Sequence, residues 1–188
     1  MAFLLHWRHY YAARWQLFRR NPAAAARRYQ LALAASPGFW LAAASLGYLH
    51  ATERRYDQAV AAFEQALAIK PDDADMLFNL GYVLGEDRQH ARAITVLERA
   101  VALNPKHDRA WFGMGLAYKG LGDHARAAEM FVKAADIQPM NPHALYELAH
   151  AYVAMGETDK ARTVIRRVSE FDPKVTRQLI DETGLRPQ

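Results

Sequence analysis

The sequence predicts an all-α solenoid of about five antiparallel helix pairs, followed by a C-terminal capping helix. The first observation is a proline every 34 residues, at positions 37, 71, 105, 139 and 173. The second is that small and bulky apolar residues recur at the same interval, and the third is a helical spacing of apolar residues inside each period. A fixed period of this length is typical of repeat arrays, in which each repeat buries its apolar face against the next.

Four series of residues recur at the 34-residue interval, and each has a role in a helix pair. The alanines and glycines allow two helices to approach closely, and the bulky residues fill the space between them. The four series are Ala25, Ala59, Ala93, Ala127 and Ala161; Tyr29, Phe63, Leu97, Phe131 and Ile165; Ala32, Ala66, Ala100, Ala134 and Val168; and Ala13, Gly47, Gly81, Gly115 and Ala149.

Each period contains two helical patterns separated by a short break. In the fourth period Trp111, Gly115 and Tyr118 lie at i, i+4 and i+7, which places them on one helix face. Gly122 interrupts this pattern, and Asp123 is positioned to cap the next helix. Two helices per period are therefore expected.

The two ends of the array differ from its middle. In the first period the break is Asn21 followed by Pro22, a capping residue and a proline at the first helical position. After the last period, apolar Leu179 and Ile180 among polar neighbours predict a capping helix over 176–184, which would cover the apolar face of the last repeat.

These repeating residues resemble the tetratricopeptide repeat (TPR) family, whose pattern has a bulky residue, Leu-Gly, Tyr, Ala, Phe, Ala and Pro at the same offsets. The motifs FNLGYVL and WFGMGLAY carry the best matches. The resemblance implies a right-handed α-solenoid that forms one domain over 1–188. Its repeats are 6–39, which matches only in its second half, 40–73, 74–107, 108–141 and 142–175.

The composition excludes several kinds of protein. Cysteine is absent, which rules out disulfides and thiol chemistry, and no apolar run approaches the roughly 20 residues of a membrane span. The N-terminus does not resemble a secretory signal, so we expect a cytoplasmic protein. No GxSxG, P-loop or HExxH motif occurs. We therefore expect no enzymatic activity, cofactor or metal.

The TPR resemblance also implies a groove, because the first helix of each repeat lines the concave surface in that family. The positions that bind ligands are unusually aromatic in this chain, and flanking Arg, Lys and Asn suit an extended peptide or an amphipathic helix. We therefore expect a scaffold or adaptor protein that acts in the assembly of a larger complex. The expected groove residues are Tyr48, Phe78, Asn79, Tyr82, Arg109, Phe112, Leu116, Lys119 and Tyr146.

The N-terminal helix is a second candidate surface, since six aromatic or basic residues share helical spacing: Trp7, Tyr10, Tyr11, Arg14, Trp15 and Phe18. Residues 1–52 contain six arginines and no acid, a charge of +6, whereas the other 18 basic and 20 acidic residues give −2. Three functions are open. In order of preference they are homo-oligomerisation or partner binding through the first repeat, peripheral binding to a membrane surface, and nucleic-acid binding. The acidic body of the chain argues against nucleic-acid binding.

Overall fold

The computed structural model describes residues 4–187, which form eleven α-helices and no β-strand. The all-α fold class is therefore confirmed. None of these helices is long and apolar enough to cross a membrane. The helices are α1 (Leu5–Phe18), α2 (Pro22–Ala35), α3 (Trp40–Thr52), α4 (Tyr56–Ile69), α5 (Ala74–Glu86), α6 (His90–Leu103), α7 (Asp108–Gly120), α8 (His124–Ile137), α9 (Pro142–Ala154), α10 (Thr158–Ser169) and α11 (Pro173–Thr183).

The chain divides into two compact units, with the boundary between Asp87 and Arg88. In the first unit, which holds α1 to α5, each helix packs against the next one in the chain. The second unit holds α6 to α11 and follows the same rule, and α11 also contacts α9. Both units thus have the succession of packed helix pairs that the 34-residue period predicts.

The repeating residues form the cores of both units. Every alanine in the series that begins at Ala25, and every bulky residue in the series that begins at Tyr29, is at most 2% exposed. The glycines of the fourth series are needed where a large ring faces them. A methyl group added at Gly115 would lie 2.4 Å from the ring of Phe131, which is too close for any real contact.

The turns inside the repeats share a left-handed backbone residue, again at the 34-residue interval. The φ angles are 56° at Arg20 and Arg54, 60° at Arg88, 78° at Gly122 and 76° at Gly156. A residue with positive φ after a helix ends it by satisfying its last carbonyls. The same turn geometry is therefore built from arginine in three repeats and from glycine in two.

Side-chain caps fix the beginnings of several helices. Asn21 and Asp123 each accept a hydrogen bond from the backbone N–H three residues later, at 3.1 and 3.0 Å, which confirms both predicted caps. The last helix begins at Pro173, three residues earlier than the predicted range 176–184. The reason is Asp172, whose carboxylate accepts two backbone N–H bonds from the first turn.

Candidate functional site

The first helices of the second and third repeats, α3 and α5, form a pocket of about 330 Å³ in the first unit. Most of its lining is aromatic or aliphatic, with a hydroxyl or amide group at a few points. We call it the Tyr48 pocket. Its lining residues are Tyr48, Ala51, Thr52, Phe63, Phe78, Asn79, Tyr82 and Val83.

Two tyrosines dominate the opening of the Tyr48 pocket. Tyr48 and Tyr82 are 34 residues apart, so they occupy the same position in successive repeats, and they are 50% and 52% exposed. Tyr48 rests edge-on against the buried ring of Phe63, with ring centres 5.4 Å apart. The ring of Phe78 lies beside Tyr82 at 6.4 Å. Both tyrosines are therefore held by neighbouring rings while half of each stays open to a ligand.

The polar groups of the Tyr48 pocket are neutral. The side-chain amide of Asn79 donates a hydrogen bond to the hydroxyl of Tyr48. Partial burial, followed by the nearby Glu86 carboxylate, raises the pKa of Tyr82 above its usual value, so its phenol keeps its proton. An apolar pocket with a few neutral hydrogen-bonding groups suits an uncharged side chain and the peptide backbone that carries it.

The predicted groove residues of the second unit lie on α7 and α9. Phe112 is half-buried, with its ring 5.6 Å from Phe131, and Leu116 is exposed at the position that corresponds to Tyr82. Arg109 is also exposed. Lys119 is held in an ion pair, its Nζ 2.6 Å from a carboxylate oxygen of Glu147. This face is therefore more polar than the Tyr48 pocket.

Tyr146, the last predicted groove residue, is hydrogen-bonded to the C-terminal helix. Its hydroxyl donates to Glu182 of α11 at 2.6 Å, and Gln178 donates back to that hydroxyl at 3.3 Å. His150 contacts the same Glu182 oxygen through Nε2 at 2.9 Å. Within residues 4–187, no three His, Asp or Glu side chains are arranged to hold a metal ion. The bonds of Tyr146 and His150 to Glu182 join α9 to α11.

Two residues of the predicted N-terminal surface lie inside the first unit. Tyr10 is 7% exposed and packs between the rings of Tyr29 and Phe39, at 5.6 and 5.4 Å. Trp7 is half-buried, with its ring 4.7 Å from Phe39. The expectation that these two rings belong to an exposed surface needs correction, because Phe39, just before α3, folds over them.

The other four predicted residues of that helix are exposed. Trp15 and Phe18 stack on one another with ring centres 5.4 Å apart, and they are 58% and 77% exposed. Tyr11 and Arg14 are exposed beside them. Of the six residues predicted for the N-terminal surface, two thus pack against the core and four are exposed.

Sequence reasoning missed some of the residues in these sites. Ala51 and Thr52 line the Tyr48 pocket although neither was predicted. Their signal was available, since they follow Tyr48 on the same helix at ligand-facing positions of the TPR register. Glu182 carried no such signal, because α11 lies beyond the last complete repeat.

The fold matches those of several solved structures. The MamA protein is 21% identical with a TM-score of 0.85, and the match covers 97% of each chain. YrrB is 22% identical with a TM-score of 0.81, covering 94% of this chain and 91% of YrrB. PilF of Pseudomonas aeruginosa is 22% identical with a TM-score of 0.76, covering 97% and 86%. At these identities the likeness shows the fold alone.

Sequence comparison identifies the family. No curated protein gives a significant match. One tetratricopeptide repeat model matches residues 12–74, 45–107 and 78–142, and a second matches residues 118–179. Together these matches cover most of the chain and follow its 34-residue period. The chain belongs to the tetratricopeptide repeat family.

Proposed function

We propose that this protein is an interaction scaffold that binds an apolar segment of a partner protein, a peptide or a helix, in the Tyr48 pocket. Tetratricopeptide repeat proteins bind peptide or protein partners, so a binding function follows from the family. One observation carries the choice of this site. Tyr48 and Tyr82 each leave half of their surface open in a pocket whose other walls are mostly apolar.

The physical chemistry of the Tyr48 pocket favours a peptide ligand. An aromatic side chain can bury about 150–250 Å² on binding, and each Å² of apolar surface contributes roughly 25 cal/mol. The two phenols and the Asn79 amide supply hydrogen-bonding groups for the backbone of the bound segment. YrrB, which shares this fold, is a TPR protein with an unusual peptide-binding site. That likeness supports a peptide ligand.

Residues of the second unit extend the proposal. Arg109, Phe112, Leu116, Lys119 and Tyr146 occupy ligand-facing positions of the family register and are proposed as further partner contacts. A carboxylate on the partner could replace Glu147 as the ion-pair partner of Lys119. Two sets of contacts on one chain suit an adaptor in the assembly of a larger complex. We propose no catalytic activity for this protein.

Site-specific crosslinking followed by a binding measurement tests this function. A photoreactive phenylalanine replaces Tyr82 in the native cell, and the crosslinked segment is identified by mass spectrometry. The same probe at Ile69, an exposed apolar position of α4 outside the pocket, is the matched control. We expect a partner segment that crosslinks from position 82 and not from position 69.

The affinity of the synthesised segment then decides whether the pocket binds it. We expect Tyr48→Ala/Tyr82→Ala to weaken binding at least tenfold, about 1.4 kcal/mol or more, because aromatic anchors dominate such interfaces. Ile69→Ala should bind like the wild type. Equal affinity for the double variant and the wild type, with both folded, would show that the Tyr48 pocket is not the binding site.

A further inference from the structure

Helix α1 has an exposed face of aromatic and basic side chains at one end of the first unit. Trp15 and the neighbouring Phe18 are its most prominent apolar groups. Arg8 lies seven residues before Trp15, and Arg14 four residues before Phe18, so both arginines flank the rings on the same helix face. Together with Tyr11, these residues are called the end face below. All five are exposed.

The later repeats bury the positions that correspond to two of the end-face residues, Trp15 and Arg8. The residues that correspond to Trp15 are between 1% and 7% exposed, and those that correspond to Arg8 are all buried. The first set is Leu49, Val83, Ala117 and Ala151, and the second is Ala42, Met76, Ala110 and Ala144. Each of the first helices that carry these residues packs on the second helix of the preceding repeat. Among residues 4–187, α1 has no such neighbour.

The side chains on the end face differ in size from their counterparts. The counterparts of Trp15 are alanine, valine or leucine and those of Arg8 are alanine or methionine, and they let the preceding helix approach to about 8–10 Å between axes. Trp15 is larger than each of its counterparts, and Arg8 carries a charge where its counterparts are apolar. Large exposed side chains therefore project from the end face. A soft binding surface, into which side chains can insert, suits them better than the close-packed side of another helix.

The charge of the end face argues against a second copy of the chain as its partner. No acidic residue precedes Glu53, and the six arginines before it are all exposed. Two copies that met through this face would place Arg8 and Arg14 of both copies in one interface. Like charges in contact are destabilising, whereas a negatively charged surface complements them.

We propose that the end face docks on an anionic lipid membrane, a site independent of the Tyr48 pocket. Trp15, Phe18 and Tyr11 enter the boundary between headgroups and acyl chains, where aromatic side chains concentrate. Arg8 and Arg14 pair with lipid phosphates and carboxylates beside the rings. An aromatic face alone or a basic patch alone binds weakly, and the combination gives stable peripheral attachment.

Vesicle co-sedimentation tests the proposal on the full chain. The probes are vesicles of phosphatidylcholine alone and of equal parts phosphatidylcholine and phosphatidylglycerol. We expect the wild type to sediment with the anionic vesicles and to stay in solution with the neutral ones. Trp15→Ala/Phe18→Ala and Arg8→Glu/Arg14→Glu should each lower partitioning by roughly tenfold or more. Circular dichroism melts confirm that both variants are folded.

Two controls make the result specific. Arg166→Glu/Arg177→Glu makes the same charge change at exposed positions of the second unit, and it should keep at least half of the wild-type partitioning. Light scattering without lipid reports self-association. The proposal is overturned if the wild type ignores anionic vesicles, or if the end-face variants bind them as well as the wild type does. It is also overturned if those variants instead split a wild-type dimer that does not bind lipid.

Discussion

At some positions of this protein, the residue type is determined by a contact between the two helices of a repeat. A small residue on the first helix faces a bulky residue on the second. Gly115 faces Phe131, and Gly47 faces Phe63 in the same way, where a methyl group added at the glycine would lie 3.0 Å from the ring. Gly85 lies in a helix too, but a methyl group there would meet nothing within 4 Å. The two kinds of helical glycine should therefore respond in opposite ways to alanine.

Gly115→Ala should lower the free energy of unfolding by about 1–3 kcal/mol, because the added methyl overlaps the ring of Phe131. The matched change Gly85→Ala should raise it by roughly 0.5–1 kcal/mol, since alanine loses less backbone entropy on helix formation. Urea titrations of both variants give these values. Equal effects of the two changes would contradict the steric explanation.

Tyr146 provides a test at alkaline pH. The hydrogen bond to Glu182, with partial burial, raises the pKa of Tyr146 from 10.0 to about 12. Since the phenol in the unfolded chain ionises first, this bond contributes stability below pH 10 that is lost as the pH rises toward 12. Ultraviolet titration should show one phenol ionising near pH 12, which Tyr146→Phe removes and Glu182→Gln shifts downward.

An unchanged titration in the Glu182→Gln variant would show that burial, and not the carboxylate, sets the pKa of Tyr146. The variant keeps the size of the side chain and loses only the charge. Tyr146→Phe with Glu182→Gln completes a cycle that separates the hydrogen bond from other effects of the two changes.

At the scale of the helices, the turn inside each repeat keeps its geometry although the residue at its left-handed position changes between arginine and glycine. In the second repeat the N–H of Arg54 bonds to the carbonyl of Ala51, and the N–H of Arg55 bonds to that of His50, at 3.0 and 2.9 Å. These two bonds are the Schellman pattern that ends a helix. Arg54 adopts a positive φ to make them, which is unfavourable for a residue with a Cβ atom.

Arg54→Gly should raise the free energy of unfolding by about 1 kcal/mol, because glycine adopts this conformation without steric cost. Gly122→Ala at the equivalent position should lower it by a similar amount. Thermal melts measure both, with Gly38→Ala as a glycine change at a position of ordinary φ. Stabilisation by both substitutions would contradict the backbone explanation.

The sequence predicted the helices better than it predicted their ends. The 34-residue period placed the helix pairs because the spacing of apolar residues determines which face is buried. The start of α11 at Pro173 was missed, although Asp172 followed by proline is a capping signal of the kind recognised at Asn21 and Pro22. The apolar pattern of that helix begins later than its backbone does.

At the scale of the whole molecule, we expect a core substitution to destabilise mainly the helices near it, because within each unit a helix packs mainly on its neighbours in the chain. Phe131→Ala should cost about 3–5 kcal/mol, since the ring is fully buried and leaves a cavity. Amide hydrogen exchange should accelerate most in α7 to α9 and little in α1 to α3. Uniform acceleration along the chain would show a single cooperative unit instead.

Residues of the candidate surfaces could be predicted only where they occupy equivalent positions in successive repeats. Tyr48, Phe78, Asn79 and Tyr82 line one pocket, because positions 34 residues apart occupy equivalent sites, and their role in binding stays a prediction. Tyr10 was assigned to the surface since helical spacing alone cannot show which neighbour covers a ring. Such coverage depends on segments far away in the sequence, here the loop before α3.

The regular 34-residue spacing has a consequence for how such a chain changes in evolution. Every period contains the same succession of helix, left-handed turn and helix, with a proline at the same point after the second helix, so any two cuts one period apart fall at equivalent points. Loss or duplication of residues 108–141, for example, would leave each remaining helix with a neighbour of the same kind. A chain one period longer or shorter can therefore keep the same order of helix pairs.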